Sequence, residues 1–179
     1  TGANAEALVF EGVKFSGPIG ANSTALWNGG TISGEDIGVH VSGQANGALP
    51  FGIYQMNGLI EGGKAAIQVD DGASYFYFYG GAVKGDLLGL SGVKVDGDAI
   101  FDGSTIRSGY VTIEEGTLTL MKPHTTFIGD FDMEESNSVL EMYLGNDTNP
   151  ALPVLKVTGT TDIAPGAQLR LLARSSDFR

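Results

Sequence analysis

The sequence predicts an all-β fold of stacked coils, a right-handed parallel β-helix (a single-stranded solenoid) with a C-terminal β cap. Three observations carry this. Short β-branched and apolar stretches recur, each bounded by Gly or by Asn, Asp or Ser beside Gly: TALWNGG, IGVHVSG, FGIYQMNG, AAIQVDDG, SYFYFYGG, LLGLSG, AIFDG. Such punctuation is the signature of all-β chains. Glycine is abundant, 28 of 179 residues, and before residue 130 it recurs too often for a 3.6-residue apolar face to persist over three turns, which leaves helix without support. Finally, the pairs Gly29-Gly30, Gly62-Gly63 and Gly80-Gly81 fall where a coil must turn a corner.

A sandwich is the competing all-β solution. It would show Pro-bearing edges, outer faces rich in Lys and Glu, and Asn-Gly hairpins joining longer alternating strands. Here the strands read as roughly three to five residues long, which favours coils whose strands pair with their equivalents one turn on. Turns of about 20 to 25 residues, with strands ~4.8 Å apart, would give roughly seven or eight coils.

Taken in order, residues 1–105 form the Gly-rich coils and residues 106–179 a second region of longer strands with fewer glycines: YVTIEEGTLTLM, TTFIGDFDM, SVLEMYLG and PVLKVTGTTDIAPGAQLRLLA. Alternation is clear in Val111 and Ile113 and in Leu118 and Leu120, which predicts the better-packed end here. Between strands, GNDTNPALP at 145–153 reads as a surface loop, because two prolines block pairing and Asn and Asp favour turns. The chain enters a strand pattern within its first ten residues and stops at ARSSDFR, which reads as a fragment of something longer.

Formal charge is −11, with ten scattered Lys and Arg. No basic stripe exists to neutralise phosphates, which argues against nucleic acid and anionic membrane surfaces as partners. Cysteine is absent, so disulfides and thiolate metal sites are excluded.

The stretch GTLTLMKPHTTFIGDF, followed by SVLEMYL and PVLKVTGTTDIAPGAQLRLLA, resembles the C-terminal part of autotransporter passenger domains, the autochaperone or junction region. The residues that carry the resemblance are Gly116, Leu118 and Leu120; Ser138, Leu140 and Leu144; and Leu155, Val157, Gly159, Ile163, Pro165, Gly166 and Leu169. Thr161 and Ile163 stand where small residues or leucine are common in that family. The resemblance covers about the last third of the chain. It implies a stem and folding module of a secreted or surface-displayed bacterial protein (type V secretion), partnered by a C-terminal outer-membrane β-barrel and reaching the cell surface through periplasm and outer membrane. Leu118, Leu120, Leu140, Leu155, Val157 and Leu169 are then folding-core or cap positions.

Reactive chemistry has weaker support. Paired acids occur at Asp70-Asp71, Glu114-Glu115 and Glu134-Glu135, and pectin-degrading β-helix enzymes use carboxylates for acid-base work or calcium. Adjacent strand residues point to opposite faces, however, and neither His40 nor His124 stands in a suitable motif. No G-x-S-x-G elbow and no zinc-ligand set is present. Asp96, Asp98 and Asp102 could hold a weak calcium but read first as turn residues. We therefore expect no catalytic residue, cofactor or metal in this chain. The unusual feature is SYFYFYGG at 74–81: in a strand, Phe76 and Phe78 face one side and Tyr75, Tyr77 and Tyr79 the other. An outward tyrosine row could stack on sugars or pack against a host surface protein, which makes an adhesin or self-association module the rival reading; a fragment of a polysaccharide-degrading enzyme or phage tailspike is the second.

Overall fold

The computed structural model describes residues 6–11, 24–42, 50–145 and 148–173. Among the described residues there is no helix. The strands are β1 (Glu6–Glu11), β2 (Thr24–Asn28), β3 (Thr31–Gly34), β4 (Ile37–Ser42), β5 (Phe51–Gln55), β6 (Leu59–Val69), β7 (Ser74–Leu90), β8 (Gly92–Asp102), β9 (Thr105–Leu120), β10 (Thr125–Met133), β11 (Val139–Leu144), β12 (Leu155–Val157), β13 (Thr161–Ile163) and β14 (Gln168–Ala173). The chain is all-β, and every pairing described is parallel. Partners lie at unequal separations along the chain, closer for Phe76 with Val93 than for Phe127 with Val157.

Parallel pairing of this kind stacks like on like. One ladder runs Val39, Ile67, Leu87, Ile106, Phe127, Val157. A second runs Ile32, Ile60, Val83, Phe101, Leu120, Met142, Leu171. A third runs Leu26, Ile53, Phe76, Val93, Val111, Phe131, Thr161. Their middle members are almost wholly buried and join one continuous core. Burying a side chain of this size is worth about 1.5–3 kcal/mol relative to exposure, so the ladders hold the strands in register. A neighbouring row starts polar and turns apolar: Asn28, Gln55, Phe78, Val95, Ile113, Met133, Ile163. The two buried amides satisfy each other, Asn28 Nδ2 donating to Gln55 Oε1 at 2.6 Å.

Two expectations need correcting. The strands are not all short, since β7 has 17 residues and β9 has 16. They stay hydrogen-bonded while they bend, and the bends appear as register shifts, one between Phe78 and Gly80. Gly81, with φ of 81°, takes this corner in the left-handed region, and a Cβ there would lie 2.5 Å from the Gly58 carbonyl oxygen. Gly58 (φ 76°) sits in the same way against Gly30. Chain and neighbour both demand glycine.

The second correction concerns packing. Among the described residues the buried hydrophobic core runs from Ile37 to Met142 rather than gathering in the last third. Leu118, Leu120 and Leu140 are buried, and Leu155 and Val157 are half-buried against the core. Leu169 is 55% exposed, with Leu171, Ile163 and Leu152 also open. β12 and β13 pair with β10, and β14 with β11, continuing the parallel pairing. These strands cover the level beneath them but leave their own apolar side chains open, so among the described residues they do not form a closed cap. Of the predicted loop at 145–153, Gly145 and residues 148–153 carry no strand and are exposed from Asn149 to Pro153; Asn146 and Asp147 lie outside the described residues.

Candidate functional site

Alternation in β7 sorts its aromatics as chemistry requires. Phe76 and Phe78 are buried; Tyr75, Tyr77 and Tyr79 alternate with them and are half-exposed. Parallel pairing then brings in partners from other strands. Trp27 of β2 pairs with Tyr54 of β5, which pairs with Tyr77. Their rings stack at centroid distances of 4.5 Å, with planes 12° apart at both steps, and Tyr54 reaches Tyr79 at 6.4 Å.

The next positions outward of Tyr77 are Lys94 (β8), Thr112 (β9), Asp132 (β10) and Asp162 (β13). Lys94 forms an ion pair with Glu114, a hydrogen bond that raises its pKa above the usual lysine value. Thr112 is only 3% exposed beneath its neighbours. Beside this row the Tyr110 ring lies over Gly92, occupying the space a side chain there would need. Asp96 pairs with Glu115; its pKa is raised, first by burial and then by the Glu115 charge. Burial likewise raises Tyr77, Tyr79 and Tyr110 above the ordinary phenol value, with the Tyr54 neighbour adding to the shift at Tyr77 and Asp96 at Tyr79. These hydroxyls remain neutral at physiological pH, able to donate and to accept. At the far end, Asp132, Glu134 and Asp162 border an open recess of about 450 Å³ with Ile163, Ala164 and Pro165.

The geometry limits what the row can bind. Because the rings lie face to face, Tyr54 and the near face of Tyr77 are occupied, and the row offers solvent its edges and hydroxyls. Flat stacking of a sugar ring, the rival reading of the sequence, is therefore closed to Tyr54 and to the near face of Tyr77, whereas Trp27 is 59% exposed.

The remaining candidates are dispersed. Asp70 accepts hydrogen bonds from Gln68 Nε2 at 2.8 Å and His40 Nε2 at 2.7 Å, which together hold its carboxyl below the usual range. This pair joins β4 to the end of β6, a contact between distant segments that no local motif announces. Asp71 stands exposed in the following turn. The His124 ring bridges the 145–153 loop: its Nδ1 lies 2.8 Å from the Pro153 carbonyl oxygen, and its Nε2 accepts from the Asn149 N–H at 2.8 Å. Asp98 is exposed on β8, Asp102 lies 3.8 Å from Lys122, and Glu134 and Glu135 are exposed after β10. Among the described residues, no three His, Asp or Glu side chains converge to hold a metal ion. Sequence reasoning finds Tyr75, Tyr77 and Tyr79 but not Trp27, Tyr54, Tyr110 or the Lys94–Glu114 pair. Those are brought together by pairings at unequal separations along the chain, so no fixed period marks them.

Comparison with family models, curated proteins and solved structures finds no match for this chain.

Proposed function

We propose that this chain is a stretch of right-handed parallel β-helix acting as a non-catalytic stem and folding module of a bacterial autotransporter passenger. The observation that carries the reading is the set of buried ladders, each built from equivalent positions of successive parallel strands. A formed level presents the edge and the apolar shelf on which the next can add, so each addition gains local contacts for the ordering entropy it loses. Handedness follows from the strong preference of parallel crossovers. The resemblance over residues 116–169 supplies the secretion context: transit through periplasm and outer membrane, a downstream barrel as partner, and display or release at the cell surface.

The test is display. With the chain fused between a secretion signal and an autotransporter barrel, external protease should reach it in a folded, resistant form. Leu118→Asp should leave it degraded or retained. Equal display of both forms would remove the folding-module reading.

The outward row of Trp27, Tyr54 and Tyr77 favours a second reading, a surface that engages a partner, because aromatic side chains held outward in one rigid stack are typical anchors of interfaces.

A further inference from the structure

We infer that the aromatic row and its acidic continuation form a docking strip for an extended cationic polypeptide segment, one rich in arginine or lysine. The inference rests on the partner-binding reading of the row and is independent of the stem reading. Trp27, Tyr54, Tyr77 and Lys94 and, beyond the buried Thr112, Asp132 and Asp162 follow one another by register, and at ~4.8 Å per step the strip is about 29 Å long, the span of roughly nine extended residues.

Its two halves differ in chemistry. The first half is aromatic: stacked ring edges, the open face of Trp27, and the neutral hydroxyls of Tyr77 and Tyr79. The second half is acidic, with Asp96, Glu115, Asp132, Glu134 and Asp162, and Lys94 at its start is already paired to Glu114. Asp132 and Asp162 are direct register partners, and like charges opposite one another on a sheet repel unless a cation lies between them.

A matching partner must supply both apolar stem and positive head. Arginine and lysine do so, laying their methylenes along ring edges while the head group reaches carboxylates and phenol oxygens. A neutral glycan matches less well, since the stack takes up both faces of Tyr54 and one face each of Trp27 and Tyr77 and the carboxylates of the second half would be left without a counter-charge. An isolated divalent ion does not match, since no three acids among the described residues converge.

Trp27 is the only tryptophan in the chain, so its emission reports on the strip. The full chain is titrated with a peptide of about ten residues alternating Arg and Gly, matched to the strip at ~3.3 Å per residue, in about 0.15 M salt. Parallel titrations use a Glu-Gly peptide, a Ser-Gly peptide and a neutral glucose oligomer. We expect a saturable change in Trp27 emission with the Arg-Gly peptide alone. Tyr77→Ala should weaken it about tenfold, the effect of losing an aromatic anchor. Asp132→Asn with Asp162→Asn should weaken it more than Asp70→Asn with Asp71→Asn, which removes the same charge elsewhere. Thermal melting checks that each variant folds; a Tyr77→Ala that does not is replaced by Trp27→Phe, read by peptide fluorescence anisotropy. Equal loss in the two charge pairs would show only attraction to net charge and overturn the inference. Response to the glucose oligomer or the Ser-Gly peptide would overturn the cationic partner while keeping the binding surface. No response to any probe would remove the binding reading itself.

Discussion

Leu169 pairs in register with Leu140, yet Leu140 is fully buried and Leu169 is 55% exposed. The two leucines occupy the same column, and among the described residues β14 lies over Leu140 while no strand lies over Leu169. Position in the column thus decides what each contributes.

Leu118→Ala or Leu140→Ala should cost about 2–5 kcal/mol, and Phe76→Ala about 3–5 kcal/mol, because a buried column closes on a cavity with difficulty. Leu169→Ala should change stability by under about 0.5 kcal/mol, as for a surface substitution. Urea unfolding monitored by circular dichroism gives both values. A large loss at Leu169 would mean that the last strands hold more of the fold than their exposure shows.

Limited proteolysis should cut first in the exposed segment from Asn149 to Pro153 and leave a resistant fragment that retains β10 and β11. Mass spectrometry of the first products checks this. Initial cleavage within β7 to β9 would contradict the buried core between Ile37 and Met142.

Glycines should separate into two kinds. Gly81→Ala places a side chain at positive φ and against the Gly58 carbonyl, and should cost more than about 1 kcal/mol. Gly29→Ala meets nothing within 4 Å and should be neutral or stabilise by about 0.4–1 kcal/mol through the unfolded chain. Paired melting curves decide it.

Acid pH should act oppositely on two carboxylates. Asp70 is held below the usual value by Gln68 and His40, so its contribution is present above the ordinary pKa of ~3.9 and is lost as pH falls through its lower folded value. Asp96 is raised; its charged form is penalised at neutral pH, and stability is regained as pH falls through its folded pKa. Asp70→Asn should therefore lower stability at pH 7 and flatten the acid limb, while Asp96→Asn should stabilise at pH 7. Melting temperature against pH for the two variants would reveal the opposite signs or their absence.

Alkaline titration tests the aromatic strip. Tyr77, Tyr79 and Tyr110 are raised, so the native chain holds protons that the unfolded chain releases near pH ~10, and stability should fall as pH rises past that point. Phenolate absorbance should appear in two phases, the later one reduced in Tyr77→Phe. A single phase at the ordinary value would show these hydroxyls to be freely solvated.

Much of this architecture is legible in the sequence because it rests on local signals. The alternation in SYFYFYGG sorts Phe76 and Phe78 inward from Tyr75, Tyr77 and Tyr79, and Gly-bounded apolar runs mark the strands. What escapes depends on register between distant segments. Nothing near Trp27 says that it stacks on Tyr54, since the two lie on separate strands and Tyr77 on a third. Leu169 reads as a core position for a related reason: periodicity assigns a side chain to a face, but burial requires a further layer, and no strand pattern encodes that. His40 and Asp70 meet unannounced because each belongs to an ordinary strand or its end, and only the pairing of β4 with β6 unites them.

The corner built from Gly30, Gly58 and Gly81 separates two freedoms that most folds tie together. The stretch of chain between register partners differs from one pair of strands to the next, so chain can be added or removed between corners without disturbing the ladders. At Gly58 and Gly81 a side chain would strike the backbone of the glycine before it, Gly30 and Gly58 respectively, and a change there would need that neighbour to move as well. Such a chain can diversify readily by insertion and only sparingly by substitution. Loops would vary in length from one descendant to another, while the bends would be inherited nearly unchanged.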